Sequence, residues 1–481
     1  MLELLRFDAK APLLFTSGQF LFWFCLFFPG LLWLRRTGRA RLLYLALFSC
    51  FFYYKCSGGA LLALGTTAAL DYRISRRIAA SSDPVARKRW LWLSITLSLS
   101  PLVYFKYTGL LVAGLARLTG GSFEPLDLLA PAGISFYTFE TISYVVDVYR
   151  GRLKPARSFV EYLTYLAYFP HLMAGPIMRA EQLLPSLRAM PVLSAERLGS
   201  GLFLILLGLV KKAVVADYLG RFSDSVFSGG DGLSGFEVLL GTYCYALQIF
   251  CDFSGYSDIA LGLGRLTGVE LPVNFQAPYL ASSITDFWRR WHITLSTWLR
   301  DYVYLPLGGN RRGRTRTALN LMLTMLLGGL WHGASLSFVL WGGAHGLLLC
   351  LEKALTSPLA RFRSLPTGRV LLYLLTLHLV VLLWIPFRVP DLQLGWSLVQ
   401  RIALDFQLAS VPAVLAARAS LLAVLGLGAL LAALRHEHVE GLAGGFARSP
   451  LPLRAALAVL VVQLTLELQS AELQPFLYFQ F

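Results

Sequence analysis

Apolar stretches long enough to cross a hydrocarbon layer, which takes about 20 residues of helix, recur in this chain from Leu13 to Leu468. Few architectures survive that constraint. Inside lipid, every backbone N–H and C=O must find its partner within the protein, and a helix does this within one segment. A single water-soluble core would not hold a chain that is 56% hydrophobic and only 15% charged, with mean hydropathy +0.61. The sequence therefore predicts an all-α polytopic membrane protein. No soluble stretch interrupts the spans, so one membrane domain over 1–481 is the economical reading: N-terminal spans in 1–150, a motif-rich region in 160–350 and C-terminal spans in 369–481.

The net charge of +16 would point to nucleic acid in a soluble protein. Here the cations form short clusters between apolar spans, the pattern of cytoplasmic loops, so the expected partner is the lipid bilayer and not nucleic acid. Arg35, Arg36, Arg39 and Arg41 make one cluster, Arg73 to Arg89 a second, and Arg150, Arg152, Lys154 and Arg157 a third. The segment from Thr119 to Ala130 carries only the acids Glu124 and Asp127. By the positive-inside rule the N-terminus begins outside the cytoplasm. Leu13 to Leu34 reads as a retained span, because no small-residue cleavage site precedes a soluble region. The six cysteines lie in or beside apolar runs without metal-ligand spacing, and so read as buried thiols.

Further spans are expected at Leu42–Cys56, Gly58–Arg73, Trp90–Tyr107 and Pro131–Tyr149. Asp71, Glu140 and Asp147 lie in or near them; acids at membrane depth mark functional sites by default, but ordinary pairing with the nearby Arg and Lys clusters is the plainer reading. In Phe169–Arg179, FPHLMAGPIMR, the residues Pro170, Gly175 and Pro176 break any continuous helix. Such backbone must be sheltered by protein or line a wet cavity, and His171 within it is either a substrate contact or a satisfied structural group. After a span at Leu198–Tyr218 and a loop-like connector at Ser223–Gly235, the run Phe236–Gly268 holds QIFCDFSGYSDIALG. Asp252 and Asp258 there are costly unless they face Arg or backbone donors. Two carboxylates without histidine companions make a poor metal site.

The chemistry is expected between Asp286 and His332. Placed on one helix, Phe287, Trp288, Trp291, Leu295, Trp298, Leu299 and Tyr302 share an arc opposite Arg289, Arg290, Thr297, Arg300 and Asp301, with His292 at the apolar edge facing the interior. Trp, Tyr and Arg in this arrangement suit the membrane interface. The loop LPLGGNRRGRTRT follows with Asn310, Arg311, Arg312, Arg314 and Arg316 on the cytoplasmic side, where lipid headgroups or a phosphorylated donor would both fit. From Thr317 to Leu351 there is no Asp, Glu, Lys or Arg, and the stretch carries two histidines, His332 and His345. Glycines flank both, allowing close approach of another chain or a substrate. One of the two histidines could be a simple interhelical hydrogen bonder, and spacing alone does not choose between them. Spans at Arg369–Phe387, Val411–Leu434 and Leu453–Glu467 follow, and the tail PFLYFQF suits the interface.

Taken together, PHLMAGPI, QIFCDFSGYSDIALG, NFQAPYLASSITDFWRRWHITLSTWLRDYVYLPLGGNRRG, LGGLWHGAS and FLYFQF resemble the membrane-bound O-acyltransferase (MBOAT) family, in its bacterial alginate and peptidoglycan O-acetyltransferase branch. The likeness is dense from His171 to His345 and returns at the C-terminus. It implies a ring of transmembrane helices with re-entrant or broken segments around a central catalytic tunnel. It also implies that His332, in the WHG motif, is catalytic, with His292, in WRRWH, as its companion. Trp331, Asp286, Trp288, Arg289, Arg290, Trp291, His171, Asp252, Asp258 and Asn310 would support the site or line the substrate channel, and Arg311 and Arg312 would meet the donor or headgroups. Cys251 stands where an aromatic is common in relatives.

The implied reaction needs no metal or bound cofactor. Acetyl-CoA or another acetyl thioester would enter as donor substrate from the cytoplasm, and the acceptor would be a cell-surface polysaccharide beyond the bacterial inner membrane. A separate extracytoplasmic acetyltransferase would serve as partner and complete the transfer. Imidazole can take the proton of an attacking hydroxyl and return it to the leaving thiolate, or carry the acetyl group itself as a nucleophile. His292 would orient the acceptor or support the oxyanion. Two alternatives stand beside this reading: a D-alanyl transferase for teichoic acid, which the same family contains, and a transporter or flippase, for which internal repeat symmetry is not evident.

Overall fold

A computed structural model describes residues 5–9, 11–121, 130–189, 193–229, 232–468 and 476–477. Among these residues the regular structure is helical, and the chain is an all-α polytopic membrane protein. Five helices are long and apolar enough to cross a membrane, or up to eight if each sharply bent pair is counted as one span. The acidic segment with Glu124 and Asp127 lies outside the described residues.

The chain forms two compact units. The first comprises 1–207, 256–272 and 443–480; the second comprises 208–255 and 273–442 with residue 481. The division falls inside the helices Ala195–Leu209, Gly235–Thr267 and His436–Arg448.

In the first unit, local chemistry sets where helices begin. Asp83 caps Pro84–Leu102 by accepting from the N–H groups of Val85 and Ala86, with Pro84 at the first position. Ser158 caps Phe159–Ala167, and Glu161 reaches back to the Arg157 N–H at 2.5 Å. The segment from Tyr168 to Arg179 is non-helical and buried, as its prolines and glycine require. Near the C-terminus, Phe476 is buried edge-on against Tyr256, with ring centroids 4.9 Å apart.

Three polar expectations change here. Arg41 is not a loop cation: only 2% exposed, it donates to the carbonyls of Leu187 and Ala189 at 2.7 and 3.1 Å. Asp71 accepts from Ser94 and Ser98 and not from an arginine. Glu140 meets His171 Nδ1 at 3.1 Å and the Met178 N–H at 2.9 Å. Hydroxyls, histidine and backbone donors thus satisfy acids for which the nearby Arg and Lys clusters are the expected partners.

In the second unit, the helix Asp217–Phe227 runs through the start of the connector expected to be loop. The helices Arg314–His332 and Leu336–Ala354 are joined by three residues and pack backbone to backbone at Gly329 and Gly342, whose Cα atoms a side chain on either residue would crowd at 3.2 Å. Glycine permits this approach where two apolar helices have little other driving force to associate in lipid.

Candidate active site

The stretch expected to be one interfacial helix is two. Ser283 caps Ile284–Arg290 through the Asp286 N–H at 3.1 Å, and Asp286 pairs with Arg290 one turn on at 2.9 Å. The helix then stops, because His292 adopts φ 42° and ψ 55°. Asn274, fully buried, supplies the missing acceptors: its carbonyl takes the Ile293 N–H at 3.0 Å, and its side-chain oxygen takes the Thr294 hydroxyl and N–H at 2.7 and 3.3 Å. The next helix, Ile293–Leu299, starts on that support.

This break turns His292 inward. It is 0% exposed, with the Phe253 ring edge-on at 4.7 Å and Trp331 at 5.9 Å. His332 closes the helix Arg314–His332 and is 4% exposed. Four aromatic rings enclose it: Trp331 at 4.9 Å, Trp341 and Phe387 each at 5.1 Å, and Phe338 at 6.4 Å. Both histidines therefore stand against Trp331.

A cavity of about 740 Å³, within the range of small-molecule sites, runs along the helices that carry them, and neither imidazole lines it. Trp288 and Arg289 line it from the first short helix, Arg300 and Tyr304 from the segment after the second, Leu321, Thr324 and Met325 from the His332 helix, and Leu349, Glu352 and Lys353 from the helix that follows. Arg289, Arg300 and Lys353 are exposed cations at this cavity, a setting suited to an anionic group; Arg300 also holds Asp301 at 2.7 Å, and Glu352 adds one carboxylate to the lining. Trp288 donates its indole N–H to His345 Nδ1 at 3.3 Å.

The remaining expected residues are dispersed. Trp291 is buried against Phe287, Phe275 and Trp384, and Arg290 is engaged with Asp286. Asn310, Arg311 and Arg312 are exposed on a loop held by Asn320, and they do not line the cavity. Asp252 is buried, with Lys212 as partner at 2.7 Å; Lys212 also holds Asp217 at 2.8 Å. His171 and the half-buried Asp258 belong to the first unit.

Sequence reasoning passes over Asn274, Lys353 and the pairing of His345 with Trp288. The first two carry no local signal. For His345 there is a partial one, since Trp341 and His345 are four residues apart and share a helix face.

Buried histidines, one of them at a helix break, on apolar helices that also wall a cation-bearing cavity are an arrangement that fits a membrane-embedded enzyme. The chain belongs to the membrane-bound O-acyltransferase family, whose family model (MBOAT) matches residues 156–374. AlgI of Pseudomonas aeruginosa, described as a probable alginate O-acetylase, is 41% identical over 391 residues, 80% of this chain and 74% of that protein. A peptidoglycan O-acetyltransferase of Helicobacter pylori is 34% identical over 73% of this chain and 71% of its own. A teichoic acid D-alanyltransferase of Bacillus subtilis is 26% identical over 53% and 68%. The protein is an acyltransferase.

Proposed function

We propose that this acyltransferase moves acetyl groups from a cytoplasmic thioester, acetyl-CoA or an equivalent, across the membrane for O-acetylation of a cell-surface polysaccharide. The observation that carries the reading is His332, ringed by aromatics that include Trp331, which His292 also meets, on the same helix pair that walls the 740 Å³ cavity. Similarity to alginate and peptidoglycan O-acetylating enzymes over more than two thirds of the chain supports acetyl as the group and a polysaccharide as the acceptor.

In the proposed step the acceptor hydroxyl attacks the thioester carbonyl. A C–O bond forms, the C–S bond breaks, and the hydroxyl proton passes to the His332 imidazole and then to the departing thiolate. The cations Arg289, Arg300 and Lys353 suit a donor with an anionic tail. Trp341, whose buried indole N–H has no acceptor among the described residues, is a donor for the developing oxyanion beside His332, as is His292. On this reading the chain works in the bacterial inner membrane, and a separate extracytoplasmic transferase completes delivery to the polymer.

His332→Ala at normal protein level is expected to lower polymer acetylation by about a hundred- to ten-thousandfold, the range for loss of a general acid–base. Retained acetylation would sink the reading. Feeding labelled acetate or labelled D-alanine, and asking which reaches the surface polymer, separates acetyl from D-alanyl transfer.

A further inference from the structure

We propose that Trp288, locked in place by His345, sets the length of the acyl group this enzyme accepts. The inference rests on the acyl-transfer reading and adds the residue that measures the substrate.

The cavity does not reach His332 along the helix that carries it. Its lining there ends at Met325, seven residues short of His332 and so about 10 Å along the axis. Beyond Met325 the space is filled. A Cβ on Gly328 would stand 3.2 Å from Leu299, and one on Gly329 would run into the Phe338 carbonyl. The indoles bound the other side. Trp288 lines the cavity, its ring meets Trp341 edge-on at 5.7 Å, and Trp341 in turn meets His332 at 5.1 Å. An acyl group approaching His332 from the cavity therefore meets Trp288 first.

Trp288 is held against swinging aside. Its indole N–H donates to His345 Nδ1 at 3.3 Å, which requires the neutral tautomer with the proton on Nε2. His345 is itself fixed: 1% exposed, stacked on Phe287 at 6.1 Å with the planes 10° apart, and edge-on to Trp341 at 4.9 Å. A phenylalanine at 345 would preserve the stacking but offer no acceptor, so the nitrogen serves to aim Trp288. A wall held this way admits a methyl group and resists each added methylene, because the indole must break its hydrogen bond to move.

The test uses cells carrying the full chain, fed deuterated acetate together with deuterated butyrate, with acyl acids released from the surface polymer by mild base and counted by mass spectrometry. One methylene in an apolar site is worth about 10- to 200-fold in selectivity. Trp288→Ala is expected to raise the butyryl-to-acetyl ratio at least tenfold over wild type. His345→Phe should raise it in the same direction, and His345→Gln, which restores an acceptor, should bring it back. Trp288→Phe carries the same comparison if the alanine variant does not accumulate. An unchanged ratio in variants that still esterify the polymer overturns the proposal. So does loss of all ester at normal protein level without any gain of butyryl, which would make Trp288 part of the chemistry. Absence of acetate on the wild-type polymer would instead overturn the acetyl-transfer reading itself.

Discussion

His292 occupies the left-handed region, which residues other than glycine, asparagine, aspartate and histidine rarely adopt and which costs a non-glycine residue about 1–3 kcal/mol. Asn274 offsets that strain by satisfying the N–H groups of Ile293 and Thr294, which the break exposes. The backbone and the imidazole thus make separate demands at one position. His292→Asn tolerates the dihedrals, whereas His292→Val brings a β-branched carbon into them. The valine variant is expected to unfold at a lower temperature than the asparagine variant, by the equivalent of about 1–3 kcal/mol, in thermal melts of the purified protein. Both should lose transfer activity. Equal melting temperatures would show that the dihedral is not a constraint there.

At the scale of elements, the pair Arg314–His332 and Leu336–Ala354 holds His332, Trp341 and His345 in one arrangement, and its closest approach depends on two glycines. A methyl group at Gly329 meets the Phe338 carbonyl, and one at Gly342 meets the Met325 carbonyl. Backbone cannot give way as a flexible side chain can. Gly329→Ala is expected to destabilise the protein by about 1–3 kcal/mol, as overpacking does, and to lower transfer activity by shifting His332 against Trp341. By contrast, Gly343→Ala would meet only the Leu326 side chain at 3.5 Å, ordinary contact, and should leave the melting temperature near wild type. If the two variants melt together, the crossing is looser than the packing implies.

For the whole molecule, the positive-inside rule predicts how the distribution of charge would orient the chain in the bilayer. The exposed loop with Arg311 and Arg312 leads into the helix that begins at Arg314 and ends at His332, so a cytoplasmic loop would put the cation-bearing end of that helix pair where a thioester donor would arrive. A cysteine at Arg312 is expected to react with a membrane-impermeant maleimide in inside-out vesicles and not in intact cells, measured against the unsubstituted protein. Labelling of intact cells would reverse the donor side.

Much of the fold and part of the site are legible in the residues alone, because the informative signals are local. Apolar length predicts spans because the bilayer has a fixed thickness. Pro170, Gly175 and Pro176 predict the non-helical segment around His171 because proline lacks an N–H and obstructs the preceding turn. The apolar arc of the 286–302 stretch predicts that His292 faces inward, and His292 is buried, but the helix breaks there and the turn at His292, not a continuous arc, puts it inside. What the sequence does not supply is the identity of partners far along the chain. That Lys212 answers Asp252, that Arg41 turns inward to the carbonyls of Leu187 and Ala189, that Asn274 supports the break at His292 and that His345 holds Trp288 are all outcomes of packing. A buried polar group must be satisfied, but many donors and acceptors would do so equally well. Residue types and spacing determine that a partner exists; only the tertiary structure, by bringing distant segments within about 3 Å, decides which one it is.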